Sequence, residues 1–433
     1  MMTVSNKIFL LLLQFFTLLY LFANTFASTE EATALLKWKS TFKKQNNSLL
    51  ASWKPSSDAC GGRYRVICFN GRVNRLNINN SRVIGTLHDF PFSSLPFLEY
   101  FKLSMNNFYG TIPPDIGNLT NLICLDLHAN QISGTIPSQI GSLVKLQILH
   151  IFDNHLNGPI PEEIGYLRSL IKLSLGENFL NGSIPASLGN LYNLSFLYLY
   201  LNQLSGPIPS ELGNLKNLNY LELSNNHLSS PIPSELGNLT NLSDLGLSNN
   251  QLSGPIPSEL RNLKNLNDLL SNNQLSSPIP SSIGNLRNLY TLFLDDNNLI
   301  EHNNLSGTLP TTFSIGSALR IFNLHGNKLE GKIPRSLENC QLLEVLDLGD
   351  NLLNNTFPMW LGTLPELRVL SLRSNKLQGP IRTSGSVYMF LELQILDLSC
   401  NDFSKNLPMS LFQHLKAMRT IDKKTNASRY EFH

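Results

Sequence analysis

Apolar residues recur along this chain at a fixed interval, with polar residues between them. Leucine or isoleucine occupies the same places in segments such as LICLDLHANQISGTIPSQIGSLVK (122–145) and LQILHIFDNHLNGPIPEEIGYLRS (146–169). Their shared phrase, LxxLxLxxNxLxGxIPxxLGxLxx, is 24 residues long and recurs from about residue 98. Alternation in its LxL part places leucines on one face of a short strand and variable residues on the other. The pattern therefore predicts one short strand per segment, with the leucines of all strands facing a common core.

One asparagine marks each segment and forms a ladder of equivalent positions. These positions are Asn106, Asn130, Asn154, Asn178, Asn202, Asn226, Asn250, Asn273, Asn297, Asn327, Asn351, Asn375 and Asn401. The interval is 24 residues except for 23 before Asn273, 30 before Asn327 and 26 before Asn401. An asparagine amide both donates and accepts hydrogen bonds, so we expect these side chains to satisfy backbone groups of the turn after each strand. A period of 20–29 residues with this leucine pattern is the leucine-rich repeat signature.

The predicted fold is an α/β solenoid, a right-handed leucine-rich repeat horseshoe with a parallel β-sheet on its concave face. Residues 76–408 would hold about thirteen repeats together with an irregular first unit. Strands ~4.8 Å apart would give a concave surface roughly 60 Å long. Each repeat depends on its neighbours for stability, so both ends of the array need caps.

Two interruptions break the period. LNDLLSNN at 266–273 lacks one strand residue, and we expect the lost alternation to pucker the sheet there. DDNNLIEHNNLSGTLP repeats its NNL phrase, which places six extra residues within 298–304, after the ladder residue Asn297. We interpret this insertion as a bulge at a seam between two types of repeat, with a lid over the concave face as the alternative. Deletion of Ile300–Leu305 is expected to leave fold and ligand binding intact.

The first 27 residues predict export. Residues 1–27 combine Lys7, an apolar run and small residues before a cleavage point after Ala27, which is typical of a signal peptide. An N-terminal membrane anchor is the alternative. No later stretch approaches ~20 uninterrupted apolar residues, so we expect no other membrane span in the chain.

Residues 28–75 predict an N-terminal cap with a disulfide. Ser28 to Glu31 match a capping box that opens an amphipathic helix. Cys60 and Cys68 are close in sequence and form the obvious disulfide pair in an exported chain. At the other end, residues 409–433 leave the repeat pattern without a cysteine pair, so we expect the natural array to continue beyond residue 433. The remaining cysteines are expected to be buried or half-buried free thiols: Cys124, Cys340 and Cys400.

Composition and scattered titratable residues argue against several classes of function. Hydrophobic residues make up 42% of the chain, charged residues 15%, and the formal net charge is +2, which argues against nucleic acid as a partner. No catalytic constellation is visible, so we predict a protein that is not an enzyme and has no cofactor. We also expect no metal site, because His128, His150 and His325 lie in separate units without metal-ligand spacing. Carboxylates of the LDL phrase are better explained as solvated strand positions: Asp126, Asp347 and Asp397.

The outward strand positions form the candidate ligand-binding surface. They gather aromatic and charged residues: His150, Phe152, Lys172, Phe196, Tyr198, Tyr200, Tyr220, Glu222, Phe293 and Asp295. Exposed aromatic residues on neighbouring strands are typical of binding hot spots. We therefore predict that a peptide or protein ligand binds the concave face, and that alanine at Tyr198 and Tyr200 abolishes binding without unfolding.

Ten Asn-x-Ser/Thr sequons are glycosylation candidates in an exported chain. They begin at Asn46, Asn79, Asn118, Asn181, Asn193, Asn238, Asn241, Asn304, Asn354 and Asn426. Some of them belong to the repeat phrase GNLTNLS and are by-products of it.

These motifs resemble the ectodomains of plant leucine-rich repeat receptors. The resemblance covers residues 1–433 and rests on LLKWK, SW and the two cap cysteines, followed by LxGxIPxxLGxL units. Units up to about Leu294 resemble receptor-kinase ectodomains, and units from about Leu305 resemble receptor-like proteins. The chain departs from the family at Arg63 and Arg65, which lie between the cap cysteines where the family usually has a tryptophan and a glycine. The missing aromatic ring predicts weaker packing of the cap.

The resemblance implies a secreted or cell-surface receptor that binds its ligand on the concave face, and it leads us to expect that the chain is a truncated form. It also implies a co-receptor kinase as partner, in plant defence or developmental signalling. Two alternatives remain open. One is a secreted inhibitor or decoy resembling the polygalacturonase-inhibiting proteins, and the other is a non-functional truncated product.

Overall fold

The chain forms two compact units, Met1–Leu194 and Ser195–His433, called here the N-terminal and C-terminal units. The computed structural model describes residues 12–15, 29–43, 48–55, 58–266, 272–295, 304–382, 389–404, 407–408, 411, 415 and 417–419. Each unit is a stack of coils, and each regular coil contributes a first strand, a second strand and a short 3-10 helix. The predicted solenoid is thereby confirmed as a stack of parallel-stranded repeats.

The first strands of the N-terminal unit form one sheet. An antiparallel strand, Val66–Phe69, pairs with Arg72–Asn77, and the strands that follow run parallel in chain order. They are Tyr100–Lys102, Cys124–Asp126, Ile148–His150 and Lys172–Ser174. Residues 24 positions apart lie side by side, as Leu125 and Leu149 do. The residue at the central leucine position of each parallel strand, which is Phe101 in Tyr100–Lys102, is fully buried because the alternation of the LxL phrase turns it into the core.

The second strands of the N-terminal unit form a second parallel sheet. They are Ile84–Thr86, Asn107–Gly110, Gln131–Gly134, His155–Pro159 and Phe179–Gly182. The 3-10 helices follow them in each coil, after an extended proline. They are Pro114–Asn118, Ser138–Ser142, Glu162–Tyr166 and Ala186–Asn190, with earlier turns at Ser48–Leu50 and Phe92–Ser94.

The C-terminal unit has the same order of elements, but its described first strands form two groups, Phe196–Tyr198 to Asp244–Gly246, called here its first sheet, and Thr291–Phe293 to Ile395–Asp397. Its first strands are Phe196–Tyr198, Tyr220–Glu222, Asp244–Gly246, Thr291–Phe293, Ile321–Asn323, Val345–Asp347, Val369–Ser371 and Ile395–Asp397. Its second strands are Gln203–Gly206, His227–Pro231, Gln251–Gly254, Gln274–Pro278, Asn304–Thr308, Lys328–Gly331, Leu352–Asn355, Lys376–Gly379 and Asp402–Phe403. Its 3-10 helices are Ser210–Asn214, Ser234–Asn238, Ser258–Asn262, Ser281–Asn285, Arg335–Asn339, Met359–Thr363 and Ala417–Arg419.

The asparagine ladder is confirmed and joins each coil to the one before it. Asn154 is 7% exposed, and its Nδ2 donates to the carbonyl oxygens of Leu127, Ile151 and Phe152 at 3.0, 3.3 and 3.1 Å. Its Oδ1 accepts the backbone N–H of Ile132 at 3.0 Å. Equivalent bonds to the preceding coil are made by Asn106, Asn130, Asn178, Asn226, Asn250, Asn273, Asn327, Asn351, Asn375 and Asn401. The predicted ladder position Asn297 lies outside the described residues.

The residue before most ladder asparagines has a left-handed backbone conformation, which the repeat pattern did not reveal. Non-glycine examples with φ between 47° and 57° are Met105, Ala129, Asp153, Glu177, Leu201, Asn225, Asn249, Asn272, Asp350, Ser374 and Cys400. This conformation turns the side chain away from the core, and Cys400 is consequently exposed. The expectation of a buried or half-buried thiol is therefore wrong for Cys400, while Cys124 and Cys340 are buried as predicted.

Glycines allow the 3-10 helices of neighbouring coils to approach closely. A Cβ atom on Gly141 would lie 2.7 Å from the carbonyl oxygen of Glu163, and one on Gly165 would lie 2.5 Å from that of Ser187. Any larger residue would push the coils apart. The recurring LG of the repeat phrase therefore sets the spacing between coils.

The N-terminal cap covers the first coils with aromatic side chains. Its helix spans 29–40, and Trp38, which is fully buried, donates from Nε1 to the carbonyl oxygen of Thr86 at 3.0 Å. The predicted capping box includes Ser28, which lies outside the described residues. The two carboxylate oxygens of Glu31 accept the Arg72 guanidinium at 2.7 Å and the backbone N–H of Val73 at 2.8 Å, which ties the helix to the first strand.

The region between the cap cysteines is filled despite the missing tryptophan. The predicted Cys60–Cys68 disulfide is present, with a Cα–Cα distance of 5.5 Å. Arg63 is 2% exposed and donates to the carbonyl oxygens of Ala32 and Lys54 at 2.9 and 3.3 Å. A buried, hydrogen-bonded guanidinium thus occupies the space, so the departure from the family pattern leaves no exposed gap at Arg63.

The two interruptions leave the second sheet continuous. Gln251–Gly254 pairs with Gln274–Pro278 across the shortened repeat, whose residues 267–271 lie outside the described ones, as does the predicted pucker. Asn304–Thr308 pairs with Gln274–Pro278 directly after the insertion. Asn327 Nδ2 donates to the carbonyl oxygen of Leu294, which precedes it by 33 residues. In a regular repeat, as at Asn351, the accepting residue precedes the ladder asparagine by 27 residues. The six extra residues therefore fall between a first and a second strand, and the predicted bulge itself lies outside the described residues.

Candidate ligand-binding surface

The first sheet of the C-terminal unit carries an aromatic cluster formed by Phe196, Tyr198, Tyr200 and Tyr220. The rings of Phe196 and Tyr220 stack with centroids 4.9 Å apart and planes 7° from parallel. Tyr198 lies 6.2 Å from Phe196 and 6.4 Å from Tyr200, measured between ring centroids. Tyr220 is 36% exposed and the other three rings are half-buried. The strand alternation that buries Leu197 and Leu221 keeps these rings on the outer face.

Two carboxylates border the aromatic cluster. Glu222 pairs with Tyr198 in the parallel register, and Asp244 pairs with Tyr220 from the next strand. Burial raises the pKa of Tyr198, and the neighbouring Tyr220, Asp244 and Glu222 raise it further. Burial likewise raises the pKa of Asp244. The surface is therefore aromatic and acidic. Sequence reasoning selected Glu222 but missed Asp244.

Gly246 makes room for the Glu222 carboxylate. A Cβ atom at this position would lie 2.0 Å from Glu222 Oε1, a distance that no pair of heavy atoms tolerates without displacement. The glycine occupies the strand position that pairs with Glu222. The position of the carboxylate beside the aromatic cluster therefore depends on a neighbouring residue that lacks a side chain.

A second group of outward residues lies in the N-terminal unit. Asp126 and His150 are paired in register on adjacent strands, and His128 Nδ1 lies 2.6 Å from Asp126 Oδ1. Phe152 stacks on His128 with centroids 4.5 Å apart and planes 4° from parallel. Lys172 is half-buried on the following strand. The structure thus brings together Asp126 and His128 of one repeat with His150 and Phe152 of the next.

The electrostatics of this second group follow from burial and from the Asp126 contacts. Burial alone would raise the pKa of Asp126, but the hydrogen bond from His128 and the two nearby imidazoles lower it below its usual value. Burial lowers the pKa of His150, and the charge of Asp126 opposes that effect. The carboxylate is therefore ionised. The expectation of a solvated strand position is wrong for Asp126, which is only 9% exposed.

Two further predicted residues lie apart from the aromatic cluster. Phe293 is half-buried on a strand three repeats beyond Tyr220, so it does not join the cluster. Asp295 is 6% exposed, and its Oδ2 accepts a hydrogen bond from Asn323 Nδ2 at 2.8 Å. The prediction that Asp295 is exposed at the binding surface is wrong, because the amide of the next coil holds its carboxylate below the surface.

A histidine that sequence reasoning left aside forms an ion-pair cluster in the C-terminal unit. His325 Nε2 lies 3.0 Å from Asp350 Oδ2, and His325 Nδ1 lies 3.5 Å from Asp347 Oδ1. The contact with Asp347, together with the charges of both aspartates, raises the pKa of His325 against the opposing effects of burial and of Arg373. Asp347 was expected to be a solvated strand position, but its carboxylate engages His325.

Most of the predicted glycosylation sites are on the surface. The exposed ones are Asn118, Asn181, Asn193, Asn238, Asn241 and Asn354. Asn79 is half-buried and accepts a hydrogen bond from Arg65 Nη1 at 2.7 Å. Asn46, Asn426 and the side chain of Asn304 lie outside the described residues. The Nδ2 atoms of Asn193 and Asn241 already donate to the carbonyls of Arg168 and Lys216, both at 2.9 Å. Glycosylation at all ten positions stays a prediction.

Comparison with known proteins identifies the repeat family. A leucine-rich repeat region profile matches residues 72–207, leucine-rich repeat profiles match 217–239, 241–263, 265–286, 319–377 and 392–414, and a leucine-rich repeat N-terminal domain profile matches 28–68. The solved structure of a leucine-rich repeat protein of Leptospira interrogans is 31% identical, with a TM-score of 0.58. Its alignment covers 79% of this chain and 82% of that protein. The chain belongs to the leucine-rich repeat family.

Within this leucine-rich repeat family, its relatives are plant receptors of two kinds. Receptor-like protein 9DC3 of Solanum pimpinellifolium is 60% identical over 120 residues, which are 28% of this chain and 14% of the relative. MDIS1-interacting receptor like kinase 2 of Arabidopsis thaliana is 50% identical over 99 residues, which are 22% of this chain and 10% of the relative. The alignments with these two relatives thus span a small part of their length, and they confirm the resemblance to both receptor-like proteins and receptor kinases.

Solved receptor ectodomains share the leucine-rich repeat fold of this chain. The ectodomain of the Arabidopsis thaliana receptor kinase GASSHO1/SCHENGEN3, in complex with CASPARIAN STRIP INTEGRITY FACTOR 2, is 35% identical with a TM-score of 0.76. That alignment covers 88% of this chain and 48% of the ectodomain. The plant peptide hormone receptor RGFR1, in complex with RGF2, is 36% identical with a TM-score of 0.69 over 75% of this chain and 51% of the receptor. The chain spans about half the length of these ectodomains.

The described residues contain no helix with the length and apolar composition needed to cross a membrane. The segment predicted as a signal peptide is described only at residues 12–15, which are helical. Export therefore stays a prediction from the sequence.

Proposed function

We propose that this protein is an extracellular recognition module that binds a peptide ligand on the first sheet of its C-terminal unit. The aromatic cluster carries the proposal. Its four rings lie side by side on two neighbouring coils, and they remain half-buried or exposed instead of packing into the core. Burial of such rings by a partner supplies most of the binding energy in protein interfaces. The peptide complexes of the related receptor ectodomains support the proposal.

The chemistry of the surface favours a ligand with a basic side chain next to an apolar one. The faces of Tyr198 and Tyr220 attract cations, and each such contact contributes about 0.5–2 kcal/mol. Glu222 and Asp244 add carboxylates beside these rings. An apolar side chain can then cover the part of Phe196 that Tyr220 leaves accessible. A lysine- or arginine-containing peptide satisfies both requirements.

Signalling through a second receptor is part of the same proposal. The solved complex of the Arabidopsis receptor kinase HAESA with its peptide hormone IDA includes the co-receptor SERK1, and that ectodomain is 28% identical to this chain with a TM-score of 0.54. We infer that the bound peptide presents a joint surface to a co-receptor kinase, in defence or developmental signalling. The predicted export signal and the exposed sequons favour an extracellular location, whether secreted or held at the cell surface.

Peptide selection against the purified glycoprotein tests the proposed site. A random peptide library would be panned on the wild-type protein, and the affinities of enriched peptides measured by calorimetry. The double variant Tyr198→Ala/Tyr200→Ala removes two rings of the aromatic cluster. The matched control Tyr166→Ala/Tyr192→Ala removes two tyrosines that are 61% and 54% exposed but lie off the first sheet.

The proposal predicts that enriched peptides carry lysine or arginine, lose at least tenfold in affinity for the Tyr198/Tyr200 variant, and bind the control variant as they bind wild type. Circular dichroism should show equal folding of all three proteins. Peptides that bind the Tyr198/Tyr200 variant with unchanged affinity, or that lose affinity equally for both variants, would contradict it.

A further inference from the structure

Stacking of two coils brings three metal-binding side chains together in the N-terminal unit. Asp126 and His128 come from one coil and His150 from the next, and a ligand atom from each lies within 4.8 Å of the other two. Among the described residues, no other group of three histidine, cysteine, aspartate or glutamate side chains meets this proximity. The trio belongs to the N-terminal unit, whereas the aromatic cluster belongs to the C-terminal unit.

We propose that Asp126, His128 and His150 bind a divalent transition-metal ion of the zinc class. Two imidazoles and one carboxylate form the donor set that binds Zn²⁺ in three-ligand protein sites, where water or a further ligand takes the fourth position. Imidazole nitrogen also disfavours Ca²⁺ and Mg²⁺, which take oxygen ligands. The ligand chemistry therefore selects zinc, copper or nickel over the hard cations.

The geometry requires a small adjustment to close around an ion. Ligand atoms in a tetrahedral zinc site are roughly 3.3 Å apart, since each bond is about 2.0 Å long. No two ligand atoms are more than 4.8 Å apart, so they must approach by at most about 1.5 Å, which rotation of a half-buried imidazole supplies. The 2.6 Å contact between His128 Nδ1 and Asp126 Oδ1 is now a hydrogen bond, and metal binding at Nδ1 would replace its proton.

The surroundings hold the three donors in place. Ser104 Oγ donates to Asp126 Oδ2 at 3.3 Å, which fixes the carboxylate plane, and Oδ1 faces His128, whose backbone N–H also donates to it at 3.5 Å. Phe152 stacks on His128 and limits rotation of that imidazole. Supporting contacts of this kind raise metal affinity by orienting the ligands in advance. Asp126 and His150 lie on paired strands, so their backbones are held in register.

Positively charged side chains near the trio lower its affinity for a metal ion. Lys102 and Lys172 both act electrostatically on His150, and both would repel a cation. The Asp126 carboxylate offsets one of these charges, and the lysine ammonium groups remain partly solvated because both residues are only half-buried. We therefore expect a single site whose affinity rises when either lysine is replaced by a neutral residue.

Calorimetric titration of the tag-free protein with Zn²⁺ tests the site. Wild type should bind one equivalent, with Mg²⁺ in excess unable to compete. His150→Ala and Asp126→Asn should each weaken binding at least tenfold, and Lys172→Gln should strengthen it. His325→Ala is the matched control, because His325 also contacts two aspartates but belongs to no such trio. This control should bind Zn²⁺ within twofold of wild type.

Cobalt provides a second readout that does not depend on affinity. Co²⁺ bound by the trio should give a visible absorption band of low-symmetry coordination in wild type and in His325→Ala, and the band should vanish in His150→Ala. Absence of a one-equivalent site in wild type would overturn the proposal. So would equal binding by wild type and His150→Ala, provided that circular dichroism shows both to be folded.

Discussion

Phe196 and Tyr220 stack face to face on adjacent coils, with ring centroids 4.9 Å apart and planes 7° from parallel. They are 24 residues apart, which is one repeat, so the parallel register of the first sheet places one ring directly beside the other. Such a pair contributes about 0.5–1.5 kcal/mol beyond the burial of its area. Both rings nevertheless face outward, so the stacking energy holds two surface side chains in a fixed orientation and does not contribute to the packing of the core. A pre-ordered aromatic surface loses little entropy when a ligand covers it.

Replacing Gly246 by alanine should disturb the acidic edge of this surface without removing any charge. The new Cβ would meet the Glu222 carboxylate at 2.0 Å and force it to rotate away from its position beside Tyr198. We expect a three- to tenfold loss of affinity for basic peptides, measured by calorimetry. Glu222→Gln should reproduce the loss, because it removes the charge in place. Unchanged affinity in both variants would exclude the carboxylate from recognition.

Asn154→Ala should strongly destabilise the N-terminal unit. The side chain satisfies three carbonyl groups and one N–H from two coils, and water cannot replace these bonds in a position that is 7% exposed. We expect a loss of about 2–4 kcal/mol in the free energy of unfolding, measured with urea. Asn157→Ala, at an exposed position of the following strand, is the control and should stay within about 0.5 kcal/mol of wild type. Equal effects of the two variants would show that the ladder contributes nothing specific.

Leu201→Asn should stabilise the protein. Leu201 has a φ of 51° and is 47% exposed, so its branched side chain adopts a left-handed backbone conformation with little burial in return. Asparagine tolerates this conformation and already occupies the equivalent position at Asn225 and Asn249. We expect a gain of about 0.5–1 kcal/mol in the free energy of unfolding. A loss in the same urea experiment would mean that the leucine makes contacts that outweigh its strain.

The contribution of His325 to stability should depend on pH. Contact with Asp347 raises its pKa in the folded protein above the ordinary value of 6.5. The stabilisation is therefore fully present below about pH 6.5 and is lost as the pH rises through the folded pKa. The free energy of unfolding, measured with urea, should be about 0.5–1 kcal/mol higher for wild type than for His325→Gln at pH 5.5, and this difference should be smaller at pH 8. A difference that stays constant or grows with pH would contradict the ion pairs.

Removing residues 298–303 should leave a regular repeat. The product has the same sequence, DDNNLSGTLP, as the deletion of Ile300–Leu305 suggested above, because Asn298-Leu299 and Asn304-Leu305 are interchangeable. Either way the strand Asn304–Thr308 keeps a leucine at the buried position of Leu305, whose N–H donates to Asn327 Oδ1 at 3.3 Å. Excision of 298–303 should change the free energy of unfolding by less than about 1 kcal/mol and leave peptide affinity unchanged. A loss of peptide affinity without a change in the free energy of unfolding would mean that the insertion is a lid over the concave face and not a seam between two types of repeat.

The sequence was sufficient to predict the repeating features of the fold. The strand leucines, the asparagine ladder and the Cys60–Cys68 bridge follow from local patterns that recur or lie close together in the chain. Alternation along one strand also predicted that Tyr198 and Tyr220 face outward. Apart from the bridge, which lies in the N-terminal cap, these features depend on the period of the repeat alone, and that period is visible in the sequence.

Contacts between coils could not be predicted in the same way. The trio of Asp126, His128 and His150 arises only when one coil stacks on another, so no metal-ligand spacing exists along the chain. Asp295 was expected to be exposed, and its burial depends on Asn323 from the next coil. The lesson from both cases is that side chains should be compared at offsets of one repeat, and not only along each strand.

The structure of the protein with a selected basic peptide is the most direct test of the proposed binding surface. We predict that the peptide lies across Phe196–Tyr198 and Tyr220–Glu222, with a lysine or arginine nitrogen within about 6 Å of the ring centroid of Tyr198 or Tyr220. A peptide bound elsewhere, with the aromatic cluster left open to solvent, would contradict the account.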